Sequence, residues 1–486
     1  MSRQRQLGAF LLALALSLPP AAAMAADIAG PQLDAAGLRA ARRAAPESQL
    51  RLVFDLRRGD AAPVPVVVLL GVDYVDVVER GRETLYDFRL RRRLNLDRDA
   101  QLFANFSLYG DVAFRRFELG KRTVLAGMFG EASHGEPPPL ALRPFWLESD
   151  VGLKSGADPP PAVGEEKTAE GGWRFRVGGE TVALFSPASQ AVPAELRRSF
   201  ARFLRLRLPL HPDILAALAL DGRLPRRLVL VSVEDGERRP MGLVLKTAGR
   251  LQGDYPLPAA FAPRPLAGQS SDAEALSLSG LLPVMLQAVA GRSGDGPRPL
   301  EDYRSAAEEA LERKEGFAAM LLLAEAALQY GVAAGDCLTG LGWGAACHDA
   351  EELGHRFAED PRAALFYKAQ TAEPKDPAAA AAMWESLKRN DVANGYVVDA
   401  FLADRLSASG HREDAMGAFS RALAGDPYLA GVYKELGDHF LRASRTDLAW
   451  TCYDLGRALP GRNADDSLAG VDALEEELAS AFPEFF

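Results

Sequence analysis

The chain has 486 residues, of which 48% are hydrophobic and 25% charged, and it carries a net charge of −10. That length allows two or three domains with sizeable cores, and the acidic balance excludes a general nucleic-acid binder. Three cysteines are too few for a scaffold built on disulfides.

The N-terminus has the three parts of a secretory signal peptide. Arg3 and Arg5 precede an apolar run, residues 7–18, which is too short to span a bilayer. Small residues up to Ala25 suit a signal peptidase. We therefore predict a signal peptide over residues 1–25 and a periplasmic or secreted mature protein that does not span a membrane.

The next two hundred residues predict an antiparallel sheet. A β-branched run (64–78) and an alternating segment (86–96) are expected to form one long hairpin around the turn at Arg80-Gly81. Gly178-Gly179 and Asp235-Gly236 are expected to join two later hairpins.

Other segments in this part favour helices. Residues 108–119 suit a helix or a strand, and we favour the helix, whereas 142–153 could form a strand. Residues 192–206 and 212–220 have helical apolar spacing. Residues 46–265 are therefore predicted to be an α+β domain, an antiparallel sheet with a few helices.

The apolar face of this sheet has two interpretations. Its residues either form an ordinary core against the helices or line an apolar cavity; they are Tyr86, Phe88, Leu90, Trp173 and Phe175. With residues 86–88 and the hairpin 225–247, the order of elements resembles the half-barrel fold of periplasmic lipoprotein carriers. That resemblance implies the cavity, and with it a lipid or other apolar ligand.

From residue 272 to residue 486 nearly every segment is a helix candidate, so a second, all-helical domain is predicted. The segment 317–328 is almost wholly apolar and is expected to be buried. Further on, two consecutive 34-residue segments share one apolar skeleton. Its members are Leu402, Ala403, Leu406, Ala415, Phe419, Ala422 and Pro427 in the first segment and Tyr433, Leu436, Gly437, Phe440, Ala449 and Tyr453 in the second.

These segments, 396–429 and 430–463, resemble the tetratricopeptide repeat (TPR) family. The resemblance implies two stacked helix–turn–helix units whose first helices line a groove for a protein or peptide partner. It places six residues in that groove: Val397, Ala400, Asp404, Lys434, Asp438 and Leu441. An array of helical hairpins without kinship to that family would stack in the same way.

Cysteine and histidine offer little chemistry. Cys337 and Cys347 are close enough in sequence to close one loop with a disulfide, and Cys452 has the character of a buried apolar residue. His348 and His355 would lie two helical turns apart, too far for one metal ion. No catalytic motif, metal site or cofactor is predicted.

These patterns predict a non-enzymatic exported protein of the cell envelope that binds a protein or peptide through its helical repeats. The alternative is a carrier of a lipid or other apolar ligand in the sheet domain. A hydrolase whose carboxylates are brought together only by folding stays open as a third interpretation.

Overall fold

The computed structural model describes residues 34–128, 142–154, 162–234, 237–264, 273–291, 293, 296–330, 360–371, 377–388, 394–460 and 468–486. Within them the chain is α+β: an antiparallel sheet with a few helices comes first, and helices alone follow. The predicted signal peptide, Cys337 and Cys347 lie outside the described residues.

The described strands form two sheets. They are β1 (Glu47–Arg58), β2 (Val64–Leu70), β3 (Tyr74–Glu79), β4 (Arg82–Asp87), β5 (Arg92–Asp97), β6 (Leu102–Ser107), β7 (Gly164–Lys167), β8 (Trp173–Val177), β9 (Glu180–Phe185), β10 (Ala188–Ala191), β11 (Arg223–Pro225), β12 (Arg227–Glu234), β13 (Glu237–Gly253) and β14 (Ala262–Pro263). The main sheet has the order β14-β6-β5-β4-β3-β2-β1-β13-β12-β9-β8-β7, and β10 pairs with β11. Its neighbours are antiparallel except β14 and β6.

The expected long hairpin is instead a four-stranded meander, β2 to β5. The turn at Arg80-Gly81 does join β3 to β4, and both residues have positive φ. The return segment breaks after Asp87, because its carboxylate accepts a hydrogen bond from the Leu90 backbone N–H at 2.8 Å and stabilises a turn. That local side-chain bond ends the strand despite the unbroken alternation of the sequence.

The helices of this part are α1 (Ala35–Arg42), α2 (Leu108–Met128), α3 (Arg143–Val151), α4 (Arg197–Arg207) and α5 (Pro212–Asp221). The helix favoured over 108–119 is confirmed. The strand suggested for 142–153 is wrong, because that segment is α3. Pro144 lies in its first turn, where a missing N–H costs no hydrogen bond, and Gly152 ends it at φ 70°.

The five residues considered for a cavity lie in packed cores. Tyr86, Phe88 and Phe175 are buried in one cluster with α3, α4 and α5, and Trp173 packs against it. Leu90 belongs to a second cluster, which includes Leu38 of α1. Their positions agree with the first interpretation, an ordinary core between the sheet and the helices.

The C-terminal helices are α6 (Ala273–Val289), α7 (Leu300–Glu312), α8 (Gly316–Tyr330), α9 (Pro361–Thr371), α10 (Pro377–Lys388), α11 (Gly395–Ala408), α12 (Arg412–Gly425), α13 (Ala430–Arg442), α14 (Thr446–Arg457) and α15 (Ala469–Ala481). Neighbours α7/α8, α11/α12 and α13/α14 pack as helical hairpins. Burial of the segment 317–328 is confirmed for most of its residues. In the described part of the chain, no helix combines the length and the apolar character needed to cross a membrane.

The shared apolar skeleton forms the interior of two stacked hairpins, and α13 packs against both α11 and α12. Gly437 faces the ring of Tyr453 so closely that a Cβ atom would overlap it. The Tyr433 hydroxyl donates a hydrogen bond to the Pro427 carbonyl at 2.8 Å. Ten skeleton residues are at most 1% exposed: Leu402, Ala403, Ala415, Phe419, Ala422, Tyr433, Leu436, Phe440, Ala449 and Tyr453. Leu406 is partly buried. Kinship to the TPR family stays a prediction.

The sheet part and the helical part share a core. Helix α2 packs against α14 and α15, and Tyr109 and Val112 belong to the same apolar cluster as Trp450. Beside it, the Arg92 guanidinium of β5 lies 2.6 Å from the Asp454 carboxylate of α14, and both side chains are 1% exposed. The two parts therefore meet through a desolvated, charged and apolar interface.

Candidate functional site

Two of the six predicted groove residues are not available to a partner. Val397 is fully buried and Ala400 is 5% exposed. Val397 lies in a core cluster with Phe317 and Leu321 of α8. The prediction is wrong for both residues. Val397 is covered by α8, and a resemblance confined to the repeats contains no information about a preceding helix. Ala400 is buried in the core that the repeats share with α2.

Helix α8 approaches α13 as closely as its backbone allows. A Cβ atom on Gly431 would lie 3.0 Å from Leu328 Cδ2 and 3.2 Å from the Leu328 carbonyl oxygen. Leu328 packs against the cores on both sides. The face that the resemblance assigns to a visiting peptide is thus occupied in part by the chain itself.

A buried carboxylate fixes α8 in this position. Glu325, 4% exposed, accepts hydrogen bonds from the Tyr396 hydroxyl at 2.7 Å, the Tyr303 hydroxyl at 2.9 Å and Asn394 Nδ2 at 3.0 Å. Burial raises the pKa of Glu325, and the two tyrosine hydrogen bonds oppose that rise. The partners come from α7, from α11 and from the residue before α11, so the network joins three helices.

The charged groove residues do come together, on α11 and α13. Lys434 Nζ lies 2.9 Å from Asp438 and 2.8 Å from Glu435, and Arg442 Nη2 lies 3.2 Å from Asp404. Burial, and next the nearby Asp404 carboxylate, raise the pKa of Glu435 to about 7. Since the cations are paired within the protein, this cluster lacks free donors for a peptide carboxylate.

Leu441, the sixth groove residue, lines a different feature, an open groove of about 800 Å³ that we call the α2–α15 groove. It lies between α2, the end of α13 and α15. Its lining residues are Ala113, Arg116, Phe117, Gly120, Lys121, Leu441, Leu474 and Leu478. Most are apolar, and those of each helix recur at the spacing of one helical face.

The charged residues of the groove stand at its rim. Arg116 and Glu477 form an ion pair at 2.8 Å between the two walls, and each side chain is about half exposed. Lys121 Nζ lies 4.2 Å from the centre of the Phe117 ring and 3.4 Å from the Ser444 hydroxyl. Among the described residues no carboxylate forms an ion pair with Lys121. The groove therefore combines apolar walls with a cation, Lys121, that has no ion-pair partner in the part of the chain that the structure describes.

A second cavity, of about 450 Å³, lies on the opposite side of α2 and is more polar. Arg93 pairs with Asp111 at 2.8 Å, and Arg115 donates to the Val151 carbonyl at 2.8 Å. Burial raises the pKa of Asp111, which Arg93 opposes. Phe114, at 44% exposure, stands at this cavity. Its principal charges are already paired.

The structure also joins one histidine to a carboxylate. His211 Nε2 lies 2.9 Å from Glu148, both side chains are at most 2% exposed, and Phe145 stacks on the imidazole at 4.7 Å between centroids. Since His211 Nδ1 accepts from the Asp213 N–H, Nε2 carries the proton that is donated to Glu148. Burial lowers the pKa of His211. The pair connects α3 to α5 out of reach of solvent, so it lacks the access that acid–base catalysis requires.

Sequence reasoning missed the part that α2 and α15 play in the groove. Part of the signal was present: Ala113 and Phe117 have helical spacing within the helix favoured over 108–119, and Gly120 directly follows it. No local sequence pattern indicated that α2 would pack against α15. Among the described residues, no group of three or more His, Cys, Asp or Glu is placed to hold a metal ion.

Comparisons of the chain with protein-family models, with curated proteins and with solved structures find no match.

Proposed function

We propose that this chain is a non-enzymatic, exported protein of the cell envelope that binds a protein or peptide through the α2–α15 groove. The observation that carries the proposal is the groove itself: an open apolar depression of about 800 Å³ at the junction of the sheet and the helical repeats. That volume lies within the range of about 300–1,000 Å³ typical of binding sites.

Apolar surface in this groove supplies a driving force. Phe117, Leu441 and Leu474 are only partly buried, and covering apolar surface contributes about 25 cal/mol per Å². Grooves between helices are a recurring site for amphipathic peptides. The repeats contribute one wall through Leu441, which is how the predicted resemblance and the observed groove are connected.

Rigid walls support the same role. Helix α2 is fixed by the core that Tyr109 and Val112 share with α14, so the groove is largely formed before a partner arrives. A preformed site loses less conformational entropy on binding. Export rests on the signal-peptide pattern of residues 1–25.

The proposal is tested by capture from an envelope extract with the purified mature protein, followed by identification of both proteins and lipids. We expect a protein to be retained by the wild type and lost with Leu474→Glu, which places a charge on the groove wall. Leu184→Glu is the matched control, because Leu184 is a 36% exposed leucine on β9. Equal capture by both variants, or recovery of lipid alone, would contradict the proposal.

Export has its own measurement. Expressed from its first methionine in a Gram-negative host, the chain should be recovered from the periplasm or medium with Ala26 or Asp27 as its first residue. Intact-mass analysis gives that boundary. An uncleaved chain in the cytoplasm would disprove export without bearing on the groove.

A further inference from the structure

We propose that the occupant of the α2–α15 groove is an amphipathic helix whose apolar face is flanked by acidic residues. This inference rests on the proposed function and names the chemistry of its partner. Two properties of the groove carry it: the shape of its walls and the charge of its rim.

The walls suit a third helix. Ala113, Phe117 and Gly120 run along α2, and Leu474 and Leu478 run along α15, each series following one helical face. A Cβ atom added to Gly120 would meet nothing within 4 Å, so space is left above the helix backbone at that point. Small residues on a wall let a second helix approach to the usual interaxial distance of about 8–10 Å.

The rim selects the charge of that helix. Lys121 is exposed, and its ammonium contacts only the Phe117 ring and the Ser444 hydroxyl among the described groups. The nearby Arg116 is held by one exposed carboxylate, Glu477, which an incoming carboxylate can replace at little cost. Acidic groups along one edge of the occupant would therefore find two cations on α2.

This preference runs against the charge of the whole chain. With a net charge of −10, the protein as a whole repels an acidic partner at long range. Any preference for acidic flanks must therefore come from the local cations, and added salt should reduce it. This sign reversal separates recognition at the groove from a general electrostatic attraction.

The test uses three synthetic amphipathic peptides about four turns long, with one common leucine face and with flanking positions that are all Glu, all Gln or all Lys. Binding to the full mature chain is followed by fluorescence anisotropy at low ionic strength. We expect the Glu peptide to bind about fivefold more tightly than the Lys peptide. Raising the salt concentration should shrink that ratio.

Two variants assign the preference to Lys121. Lys121→Gln should reduce the ratio and Lys121→Glu should abolish or reverse it. Arg89→Glu, an exposed charge reversal in the turn between β4 and β5, should leave it unchanged. Thermal unfolding of each variant checks that the fold is retained.

Three results would overturn the inference: no peptide binds, the Lys peptide binds as well as the Glu peptide, or anionic phospholipid vesicles displace the bound peptide. These results leave the capture experiment intact, since loss of a captured protein with Leu474→Glu would still show that the groove binds a protein. If Leu474→Glu leaves capture unchanged, the proposed function itself fails.

Discussion

At the scale of single residues, small side chains are used where helices must come together. A Cβ atom on Gly437 would overlap the Tyr453 ring, and one on Gly425 would overlap Tyr396. At Gly431 it would make a tight contact with Leu328, at 3.0 Å. Of these, Gly437 was predictable because it occupies the same repeat position as Ala403. Gly425 and Gly431 were not, since the period says nothing of their neighbours.

Gly437→Ala should lower the free energy of unfolding by about 1–3 kcal/mol, because the added methyl group overlaps the Tyr453 ring. Gly417→Ala on α12 is the matched control. There the nearest atom is the flexible end of Arg421 at 3.4 Å, and the variant should be up to about 1 kcal/mol more stable. Urea denaturation measures both, and equal effects would argue against close packing at Gly437.

Glu435 should make stability depend on pH. Because its pKa is raised from 4.5 to about 7 in the folded state, the folded chain binds a proton that the unfolded chain has released. Stability therefore falls as pH rises from about 4.5 to 7 and is constant above. Glu435→Gln should flatten this dependence. Its free energy of unfolding, compared with that of wild type, should therefore be about 3 kcal/mol more favourable at pH 8 than at pH 4.5. Denaturation at several pH values gives the slope, and an unchanged slope would assign it to other groups.

At the scale of elements, alternation and turn residues predicted which strands and helices form better than they predicted how those elements pack. The hairpin β8/β9 follows from Trp173, Phe175 and the two glycines that join the strands, because those signals are local. The helix α3 was missed because its apolar residues fit both periods, and Pro144 and Gly152 decide between them. The burial of Val397 was not predicted, because its contact with α8 joins residues that are distant along the chain.

Glu325 tests the attachment of α8. Glu325→Ala removes the acceptor for Tyr396 and Asn394, whereas the Tyr303 hydroxyl keeps Gln329 Oε1 as a partner at 2.8 Å. The two donors left without a partner should cost about 2 kcal/mol in total. Glu308→Ala, an exposed change on α7, should cost less than about 0.5 kcal/mol. Thermal unfolding compares them, and amide exchange in α8 should rise only in the first variant.

At the scale of the molecule, the sheet and the repeats are joined by a shared hydrophobic core. The fold class was predictable from the change of apolar period near residue 265, since each half has its own pattern. The shared core of Tyr109 and Trp450 was not, because contacts between residues more than three hundred positions apart leave no mark in a single sequence.

Asp454→Ala should destabilise the protein by about 3–5 kcal/mol, because it leaves the Arg92 guanidinium buried without its counter-charge. Glu301→Ala, which breaks the exposed pair with Arg304, should cost at most about 1 kcal/mol. A second change, Arg92→Met with Asp454→Leu, should recover most of the loss because no charge remains buried. If the double variant does not recover stability, the two side chains stabilise the protein by more than their mutual charge compensation.

The pairing of β1 with β13 has a consequence for biosynthesis. Glu47 of β1 lies opposite Gly253 of β13. One of the two neighbours of this central strand is therefore synthesised about two hundred residues after it. Contacts so distant along the chain are slow to form, and until β13 arrives β1 exposes a bare hydrogen-bonding edge. The first half of the chain therefore cannot complete its sheet until residue 253 has been synthesised, and during synthesis the unpaired edge of β1 is open to association with other strands.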